Sequence, residues 1–182
     1  MSRGAHLTVR FVGSLWPFGP SAKRIAWAET LLQPGEASVW RRMPRADRRE
    51  SIAVARRVAA ELIATDPATD DVLAAALLHD VGKSEARLGA VGRALATVAG
   101  AAAGHGMARA WQQQGGVRRR YGLYLRHADV GAGMLQMADA RRLAIEWAEH
   151  HHRPERWNTL SIPYAVAAVL ARADGERVTK VT

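Results

Sequence analysis

The chain has 182 residues, contains no cysteine and carries a formal net charge of +9. This length suits one domain, because a chain of this size buries roughly two-thirds of its unfolded surface without disulfides. The absence of cysteine excludes disulfides and thiolate metal sites, so any metal must bind imidazole and carboxylate groups. A cytoplasmic location is compatible with this composition and is expected. The positive charge would attract phosphorylated ligands, nucleic acid or anionic membrane. A general bias toward Arg and Ala explains the net charge more simply, because the arginines are scattered along the chain.

The longest apolar stretches, 72–78 and 165–171, are shorter than the roughly 18 residues of a membrane-spanning helix. We therefore expect no transmembrane segment. Residues 1–20 contain several glycines and prolines and little periodicity, which predicts an extended N-terminal arm. Charge interrupts the apolar residues of this arm and no small-residue cleavage site follows, so no signal peptide is predicted. The remaining residues, 21–182, are predicted to form one helical domain.

Helical periodicity begins after the arm. Ser21 is a candidate N-cap for a helix over about 22–32, which the Pro-Gly pair at 34–35 ends. A short helical turn is predicted over 36–43. Apolar residues at three- and four-residue spacing then predict a long amphipathic helix over 45–64.

The next predicted helix, over about 70–79, is apolar almost all round and should be buried at the centre of the domain. Thr69 is its candidate cap, and its C-terminal end delivers His79 and Asp80. Gly82 follows as a stop at which the backbone can turn close to a metal or phosphate. Further helices are predicted over 87–103, 107–114, 127–137, 139–151 and 163–174. No segment has convincing strand alternation, so the sequence predicts an all-α, single-domain helical bundle.

An imidazole and a carboxylate, His79 and Asp80, stand side by side where an apolar helix turns polar. Burying an unpaired carboxylate is costly, so Asp80 needs a partner, and a metal ion is one such partner. The run at 77–83, LLHDVGK, resembles the signature of the HD superfamily of metal-dependent phosphohydrolases. These are helical proteins whose pattern is a His, then His-Asp, then further His and a distant Asp.

The resemblance covers about residues 45–175 and implies roles for the matching residues. Lys83 matches the lysine that follows His-Asp and is expected to bind a substrate phosphate, although a helix-terminal lysine is also favoured by the helix dipole. His127 opens a segment similar to the third motif and is expected to bind a second metal or a phosphate oxygen. Asp174 resembles the aspartate that closes the metal site from the final helix.

Three consecutive histidines, His150, His151 and His152, resemble the fourth motif. Successive residues of a helix are about 100° apart, so the three cannot all face one cavity. We expect His150 and His151 to face the site and His152 to face solvent.

The chain departs from the family pattern at the first motif, where Glu50 stands at the position of the histidine. Glutamate can still bind a hard divalent ion through oxygen, so two outcomes are open. Either a carboxylate-richer metal site prefers Mn²⁺ or Mg²⁺, or the primary site is weakened and turnover is lost. The residues of that primary site are Glu50, His79, Asp80 and Asp174.

The resemblance therefore implies a metal-dependent phosphohydrolase that uses metal-activated water on a nucleotide or another phosphomonoester or phosphodiester. One or two divalent ions per chain are expected, of Mn, Mg, Fe or Zn. Asp80 and Lys83 are the expected catalytic residues, with His127 and His151 also contacting phosphate. A second ion, if present, would be held by His127, His150 and His151.

Two other functions stay open. In the first, the altered first motif leaves a pocket that senses a nucleotide or phosphorylated ligand without turnover. In the second, basic residues bind nucleic acid and Tyr121 and Tyr124 stack on bases, although their helical spacing favours a core role for at least one of them. The arginines of that surface would be Arg41, Arg42, Arg45, Arg48, Arg49 and Arg118 to Arg120.

Overall fold

The structure of the protein is a computed structural model that describes residues 19–63, 69–103 and 105–176, without the side chains of 101–106. The predicted arm lies outside the described residues except for its last two positions. Every regular element in the described ranges is a helix, which confirms the all-α prediction. None of the helices in those ranges is long and apolar enough to cross a membrane.

The first half of the domain contains α1 (Ala22–Thr30), α2 (Pro34–Arg41), α3 (Arg45–Leu62), α4 (Asp70–Leu78) and the short α5 (Lys83–Ala86). Three helices then form an outer layer: α6 (Ala90–Ala103), α7 (His105–Gln112) and α8 (Gly116–Leu125). The chain ends with α9 (His127–Met137), α10 (Arg142–His150), a 3₁₀ turn (Pro154–Thr159) and α11 (Tyr164–Asp174).

Two helix starts test the predicted caps. The Thr69 hydroxyl accepts a hydrogen bond from the Val72 amide at 3.4 Å, as predicted for the start of α4. Ser21 occupies the N-cap of α1 without a side-chain hydrogen bond, and only its backbone carbonyl accepts, from the amides of Arg24 and Ile25.

Helix α4 lies at the centre of the molecule. All of its residues from Val72 to Leu78 are buried, because its faces are apolar all round and it packs against both α3 and α10. Complete burial of one such leucine contributes about 1.5–3 kcal/mol. The C-terminal end of α4 therefore opens inside the bundle, where His79 and Asp80 follow.

A buried ion pair connects the first and last parts of the domain. Glu36, on α2, is fully buried and its carboxylate accepts from the Gln33 amide at 2.9 Å and from the Arg141 amide at 3.0 Å. Arg141, just before α10, donates Nη2 to the same carboxylate at 2.6 Å and Nη1 to Asp71 at 3.1 Å. Arg141 thereby joins α2, α4 and α10.

The backbone comes very close to α9 at Gly82. A Cβ added to Gly82 would lie 2.0 Å from the His127 carbonyl oxygen and 2.6 Å from the Gly131 amide nitrogen. Gly82 has an ordinary helical φ of −63°. The glycine is needed here for close packing against α9, which differs from the predicted approach to a metal or phosphate.

Helices α6, α7 and α8 pack on one another, and α8 also packs on α5. A bidentate pair connects this layer to the core, since both Arg93 Nη atoms, on α6, donate to Asp47, on α3, at 2.6 Å. Asp47 and Arg93 are both largely buried. The pair fixes the start of α6 against α3.

Candidate metal centre

Four helix ends converge at one point in the bundle. His79 follows the last residue of α4, His127 is the first residue of α9, His151 follows α10, and Asp174 is the last residue of α11. These side chains are buried, as is that of Asp80. The fold therefore brings together most of the polar residues that the sequence singles out.

Asp80 is the common neighbour of the other groups. Its Oδ1 lies 3.4 Å from His127 Nε2 and 3.9 Å from His151 Nε2. Its Oδ2 lies 3.4 Å from His79 Nε2 and accepts a hydrogen bond from Lys83 Nζ at 2.5 Å. The same His79 Nε2 also lies 3.5 Å from Asp174 Oδ1.

Each of the three buried histidines is oriented by a backbone carbonyl that lies close to it in the chain. The Nδ1 atoms of His79, His127 and His151 lie 2.9 Å from the backbone carbonyl three residues earlier. A carbonyl oxygen can only accept, so each Nδ1 carries the proton and donates. In the neutral ring the Nε2 lone pair is then free, which is the usual arrangement of metal-binding histidines.

Burial and neighbouring charge shift the pKa values within the centre. Burial lowers the pKa of His127, and burial together with His152 and His79 lowers the pKa of His151 well below its usual value. Both rings are thus favoured in the neutral form that binds metals. Although burial acts in the opposite direction, Asp80 and Asp174 raise the pKa of His79 well above its usual value.

The carboxylate of Asp80 is held in its charged form. Burial alone would raise the pKa of Asp80, but the charges of Lys83 and His79 outweigh it and lower the pKa well below its usual range. Burial likewise opposes charge on Lys83, and Asp80 overcomes it and raises the pKa of Lys83. The centre therefore contains an anionic oxygen ligand beside an ammonium group.

The structure brings His152, rather than His150, close to His127. His152 Nε2 lies 3.2 Å from His127 Nε2, and its Nδ1 contacts the Glu176 carboxylate. His150 Nε2 lies 3.9 Å from Glu149 Oε1 instead. The difference arises because α10 ends at His150, and the turn that follows redirects the next two side chains. The expectation that His152 faces only solvent does not describe this contact, although 44% of its side chain is exposed.

Glu50 contacts a different partner. Its Oε1 accepts a hydrogen bond from Arg57 Nη2 at 3.0 Å, and 42% of its side chain is exposed. Arg57 Nε also donates to the Ala173 carbonyl at 2.8 Å, next to Asp174. Among the described residues, the close contacts that define the centre do not include Glu50, which reaches its edge through Arg57.

The donor atoms of the centre fit a metal ion. Within the described part of the chain, His79 Nε2, Asp80 Oδ1 and His151 Nε2 are buried without a hydrogen-bond partner. Leaving a buried polar group unpaired costs about 1–3 kcal/mol. Two donors that each lie about 2.1 Å from one ion are roughly 3.0–3.4 Å apart, which resembles the spacing around Asp80.

A second indication comes from His127, His151 and His152, whose ring nitrogens lie within 4.8 Å of one another. The Nδ1 of His152 contacts a carboxylate and those of His127 and His151 contact backbone carbonyls, so Nε2 is the candidate ligand atom of each ring. Unprotonated Nε2 atoms at the 3.2 Å between His127 and His152 would repel, and a shared proton or a cation removes the repulsion. His152 could not be selected from sequence, because its direction depends on the turn after α10.

Aromatic residues enclose this side of the centre. The Trp147 ring, one turn before His151, lies 6.2 Å from the His151 ring, and the Tyr124 ring lies 6.1 Å from that of His127. Trp147 is buried. These rings help to exclude water and strengthen electrostatic interactions inside the centre.

Comparison with known proteins supports the same conclusion. Residues 49–178, more than half of the chain, match the family model of the HD domain. The chain belongs to the HD-domain family. The predicted family is thus confirmed for this HD-domain protein, and the HD domain lies within a superfamily of metal-dependent phosphohydrolases that typically bind divalent metals. The chain matches no curated protein and no solved structure.

Proposed function

We propose that this HD-domain protein hydrolyses a phosphate ester in the cytoplasm, with a divalent metal ion bound at the buried centre. The observation that carries the proposal is the group of ring nitrogens of His127, His151 and His152, which lie within 4.8 Å of one another beside the Asp80 carboxylate. Lys83 adds a positive charge next to this set, which suits a phosphorylated substrate.

In this proposal, one ion would be held by His79, Asp80 and Asp174. Glu50 would be a fourth ligand, which requires its carboxylate to leave Arg57. A second ion would be held by His127, His151 and Asp80, with His152 in the role that the sequence assigned to His150, because His152 Nε2 lies close to His127 Nε2. A divalent ion, when bound, supplies Lewis-acid chemistry that lowers the pKa of water and polarises a phosphoryl oxygen.

The chain's own residues then have distinct tasks. Asp80 would orient the attacking water and accept its proton. Lys83 donates to the phosphate oxygens and neutralises the charge that develops on them. His127 and His151 have a lone pair at Nε2, which favours metal binding by these residues over hydrogen-bond donation to phosphate.

The substrate is proposed as a nucleotide or another phosphomonoester or phosphodiester. A single ion suits phosphomonoester hydrolysis, whereas two ions suit phosphodiester cleavage because they stabilise both the attacking and the leaving oxygen. The ring of histidine nitrogens favours the two-ion form. The metal is proposed to be Mn, Mg, Fe or Zn, and the ion that supports turnover identifies it.

The proposal is tested with Asp80→Asn, using Asp129→Asn as the matched control. Asp129 carries the same side chain as Asp80. It lies near the start of α9, where it pairs with Arg126 and Arg153. Metal content would be measured by mass spectrometry after loading with each ion, and hydrolysis with nucleoside monophosphates and a chromogenic phosphodiester. We expect one or two metal equivalents and turnover in the unaltered protein and in Asp129→Asn, and loss of both in Asp80→Asn. Unchanged turnover in Asp80→Asn would contradict the proposal.

The pairing of Glu50 with Arg57 favours a second candidate function, a sensor that binds a phosphorylated ligand without turnover. In that case a nucleotide binds saturably and no product forms. Glu50→His would restore the histidine of the family pattern, and Glu50→Gln would remove the charge while keeping the size. Turnover that appears only in Glu50→His would identify the unaltered protein as the sensor, whereas hydrolysis by the unaltered protein would exclude this function.

A further inference from the structure

A cleft lies where α5, α8 and α9 meet. Its volume is about 740 Å³, and small-molecule sites have volumes of roughly 300–1,000 Å³. The residues that line the cleft include none of those that form the metal centre. The short helix α5 contributes to both places, with Lys83 at the metal centre and Glu85 and Ala86 at the cleft. The cleft is therefore a second place where a small molecule can bind.

The rim of the cleft is rich in positive charge. Its exposed arginines are Arg42, Arg87, Arg119 and Arg120. Arg42 Nη2 donates to the Glu85 carboxylate at 2.7 Å, whereas no carboxylate of the described residues pairs with the other three arginines. Arg120 Nε donates to the Ala86 carbonyl at 3.0 Å, and a neutral carbonyl does not balance its charge. Three guanidinium groups thus remain without a counter-ion in the described part of the chain.

The remaining acidic residue of the cleft does not supply that counter-ion. Asp129 already pairs with Arg126 and Arg153, each at 2.9 Å. Residues 86–128 contain no aspartate or glutamate, so neither the loop after α5 nor α8 adds negative charge. A guanidinium group presents a planar fork of N–H donors that matches phosphate oxygens. The rim is therefore suited to a ligand with more than one phosphate group.

Arg87 occupies its place at the rim with a strained backbone. It follows the last residue of α5 with φ of 48° and ψ of 39°, in the left-handed region. Glycine is the usual residue in this conformation at a helix end, because a Cβ is crowded there. Backbone strain of this kind is concentrated at functional sites. An arginine at a position that suits glycine indicates a role for its side chain at the cleft.

The floor of the cleft is apolar. Ala86, Leu123 and Met134 are buried beneath the arginines. A second cavity of about 300 Å³ adjoins the cleft, since Arg42, Met134 and Met137 line both. Met137 is 84% exposed, which is unusual for so apolar a side chain. A ligand that fills the cleft therefore has an organic group as well as phosphates.

These features select among anionic ligands. Inorganic phosphate would use the arginines but leave the apolar floor in contact with water. A nucleic acid strand requires aromatic side chains for successive bases, and among the described residues none lines the cleft. Tyr124, which the sequence suggests for stacking, lies beside His127 instead. A nucleotide suits both features, because one base can pack on a methionine and a guanidinium plane while the phosphates contact arginines.

We propose that the cleft binds a nucleoside di- or triphosphate. Arg87, Arg119 and Arg120 contact the phosphates, and the base packs over Met134. This site is separate from the metal centre, and the inference does not depend on the proposed hydrolysis.

The test is isothermal titration of the full chain with adenosine diphosphate and guanosine diphosphate in the presence of EDTA, which keeps divalent ions from the metal centre. We expect saturable binding at one site per chain. Inorganic pyrophosphate should bind at least about tenfold more weakly, because it has no group to bury the apolar floor. Equal affinity for pyrophosphate and for both nucleotides would overturn the assignment of a nucleoside.

Arg119→Gln and Arg118→Gln are a matched pair of variants. Both residues are exposed neighbours on α8, and both changes remove one positive charge. Arg118 does not line the cleft and donates to Gln114 at 3.4 Å. Arg119→Gln should weaken nucleotide binding at least about tenfold, because it removes hydrogen bonds to a charged group, and Arg118→Gln should not. Equal losses in the two variants would reduce the effect to general charge attraction and overturn the inference.

Arg87→Gly separates binding from folding. Glycine adopts a φ of 48° without strain, so this variant should unfold at a higher temperature than the unaltered protein. The same change should weaken nucleotide binding at least about tenfold, since a guanidinium group is lost from the rim. A more stable variant that binds the nucleotide as tightly as the unaltered protein would remove Arg87 from the site.

Asp80→Asn identifies which site the nucleotide occupies. Its affinity for the nucleoside diphosphates in EDTA should equal that of the unaltered protein, because Asp80 does not line the cleft. Loss of binding in Asp80→Asn, with binding retained in Arg119→Gln, would place the nucleotide at the metal centre and overturn the inference. A single-stranded oligonucleotide that binds more tightly than either diphosphate would assign the arginines to nucleic acid instead.

Discussion

At the scale of single residues, a one-residue shift along the chain separates a histidine that faces Asp80 from one that contacts Glu149. His151 is almost fully buried, and its Nε2 faces Asp80 without a hydrogen-bond partner. His150 Nε2 lies 3.9 Å from Glu149 Oε1 instead, and 21% of its side chain is exposed. The two imidazoles are chemically identical, so their different positions in the fold should decide their contribution to metal binding.

His151→Gln should lose metal while His150→Gln keeps it. Glutamine preserves polarity and approximate size but removes the Nε2 ligand, so we expect the affinity of the His151 variant to fall at least about 100-fold. Isothermal titration with Mn²⁺ and Zn²⁺ measures this directly. Equal losses in the two variants would show that the centre does not distinguish neighbouring histidines. Circular dichroism of both variants checks that the helices are retained.

At this scale, the position of a residue that depends on its chain neighbours can be predicted from the sequence, whereas a position that depends on a turn cannot. His79 and Asp80 could be selected together because an apolar helix ends just before them. The direction of the His152 side chain is set by the backbone after α10, and a run of three identical histidines does not predict the path of that backbone. The Glu50–Arg57 contact spans two turns of α3, and nothing in the sequence ranks it above metal binding by Glu50.

At the scale of elements, the centre depends on how closely the turn after α4 approaches α9. Gly82 permits this approach, and Asp80 and His127 lie on either side of it. Gly133 offers a comparison on α9 itself, because a Cβ added there would have no atom within 4 Å.

Gly82→Ala should destabilise the protein, whereas Gly133→Ala should not. The added methyl of Gly82→Ala meets two backbone groups of α9, so we expect a loss of about 2 kcal/mol or more in the free energy of unfolding. Gly133→Ala should gain about 0.5–1 kcal/mol, because alanine favours a helix interior.

Urea denaturation measures the free energy of unfolding of Gly82→Ala and of Gly133→Ala. Metal titration of the folded variants shows whether His127 has moved from Asp80. A Gly82→Ala protein as stable as Gly133→Ala would mean that the turn and α9 separate at little cost.

Periodicity predicted most helices to within a few residues. The predicted 45–64 and 70–79 correspond to α3 and to α4 with its C-cap. The packing partners of these helices could not be predicted from the sequence, because hydrophobic spacing defines which face is buried but not which helix covers it. The inward turn of Arg93 to Asp47 is an example, since a lone arginine on an apolar helix is compatible with either direction.

At the scale of the whole molecule, the Glu36–Arg141 pair joins parts of the chain 105 residues apart. Burial raises the pKa of Glu36, but hydrogen bonds from Arg141 and from the Gln33 amide overcome this and lower it from 4.5. Because the folded pKa is depressed, ionised Glu36 stabilises the fold at pH values above its unfolded pKa. This stabilisation is lost as the pH falls through the folded pKa.

Glu36→Gln should therefore reduce stability in a pH-dependent manner. At neutral pH we expect a loss of about 2 kcal/mol, the value of hydrogen bonds to a charged group. The difference from the unaltered protein should shrink as the pH falls from 4.5 toward the lower folded pKa, because the carboxyl of the unfolded chain then binds a proton that folded Glu36 does not. Thermal unfolding across this range measures the effect. Glu29→Gln, which alters the exposed Glu29–Arg41 pair, is the control and should leave stability nearly unchanged. A difference for Glu36→Gln that is constant with pH would contradict this origin.

The carbonyls that orient His79 and His151 lie in the same helical turn as the rings they hold, and the carbonyl that orients His127 belongs to Tyr124, at the end of the preceding helix α8. Each of these rings is thus held by a carbonyl only three residues earlier in the chain, and the relative positions of the helices determine the size of the centre. Small adjustments in bundle packing, made by substitutions far from any ligand, could thus retune which ion fits while every ligand residue stays the same. The metal preference of such a centre is a property of its scaffold that can drift during evolution without leaving a trace in the motifs.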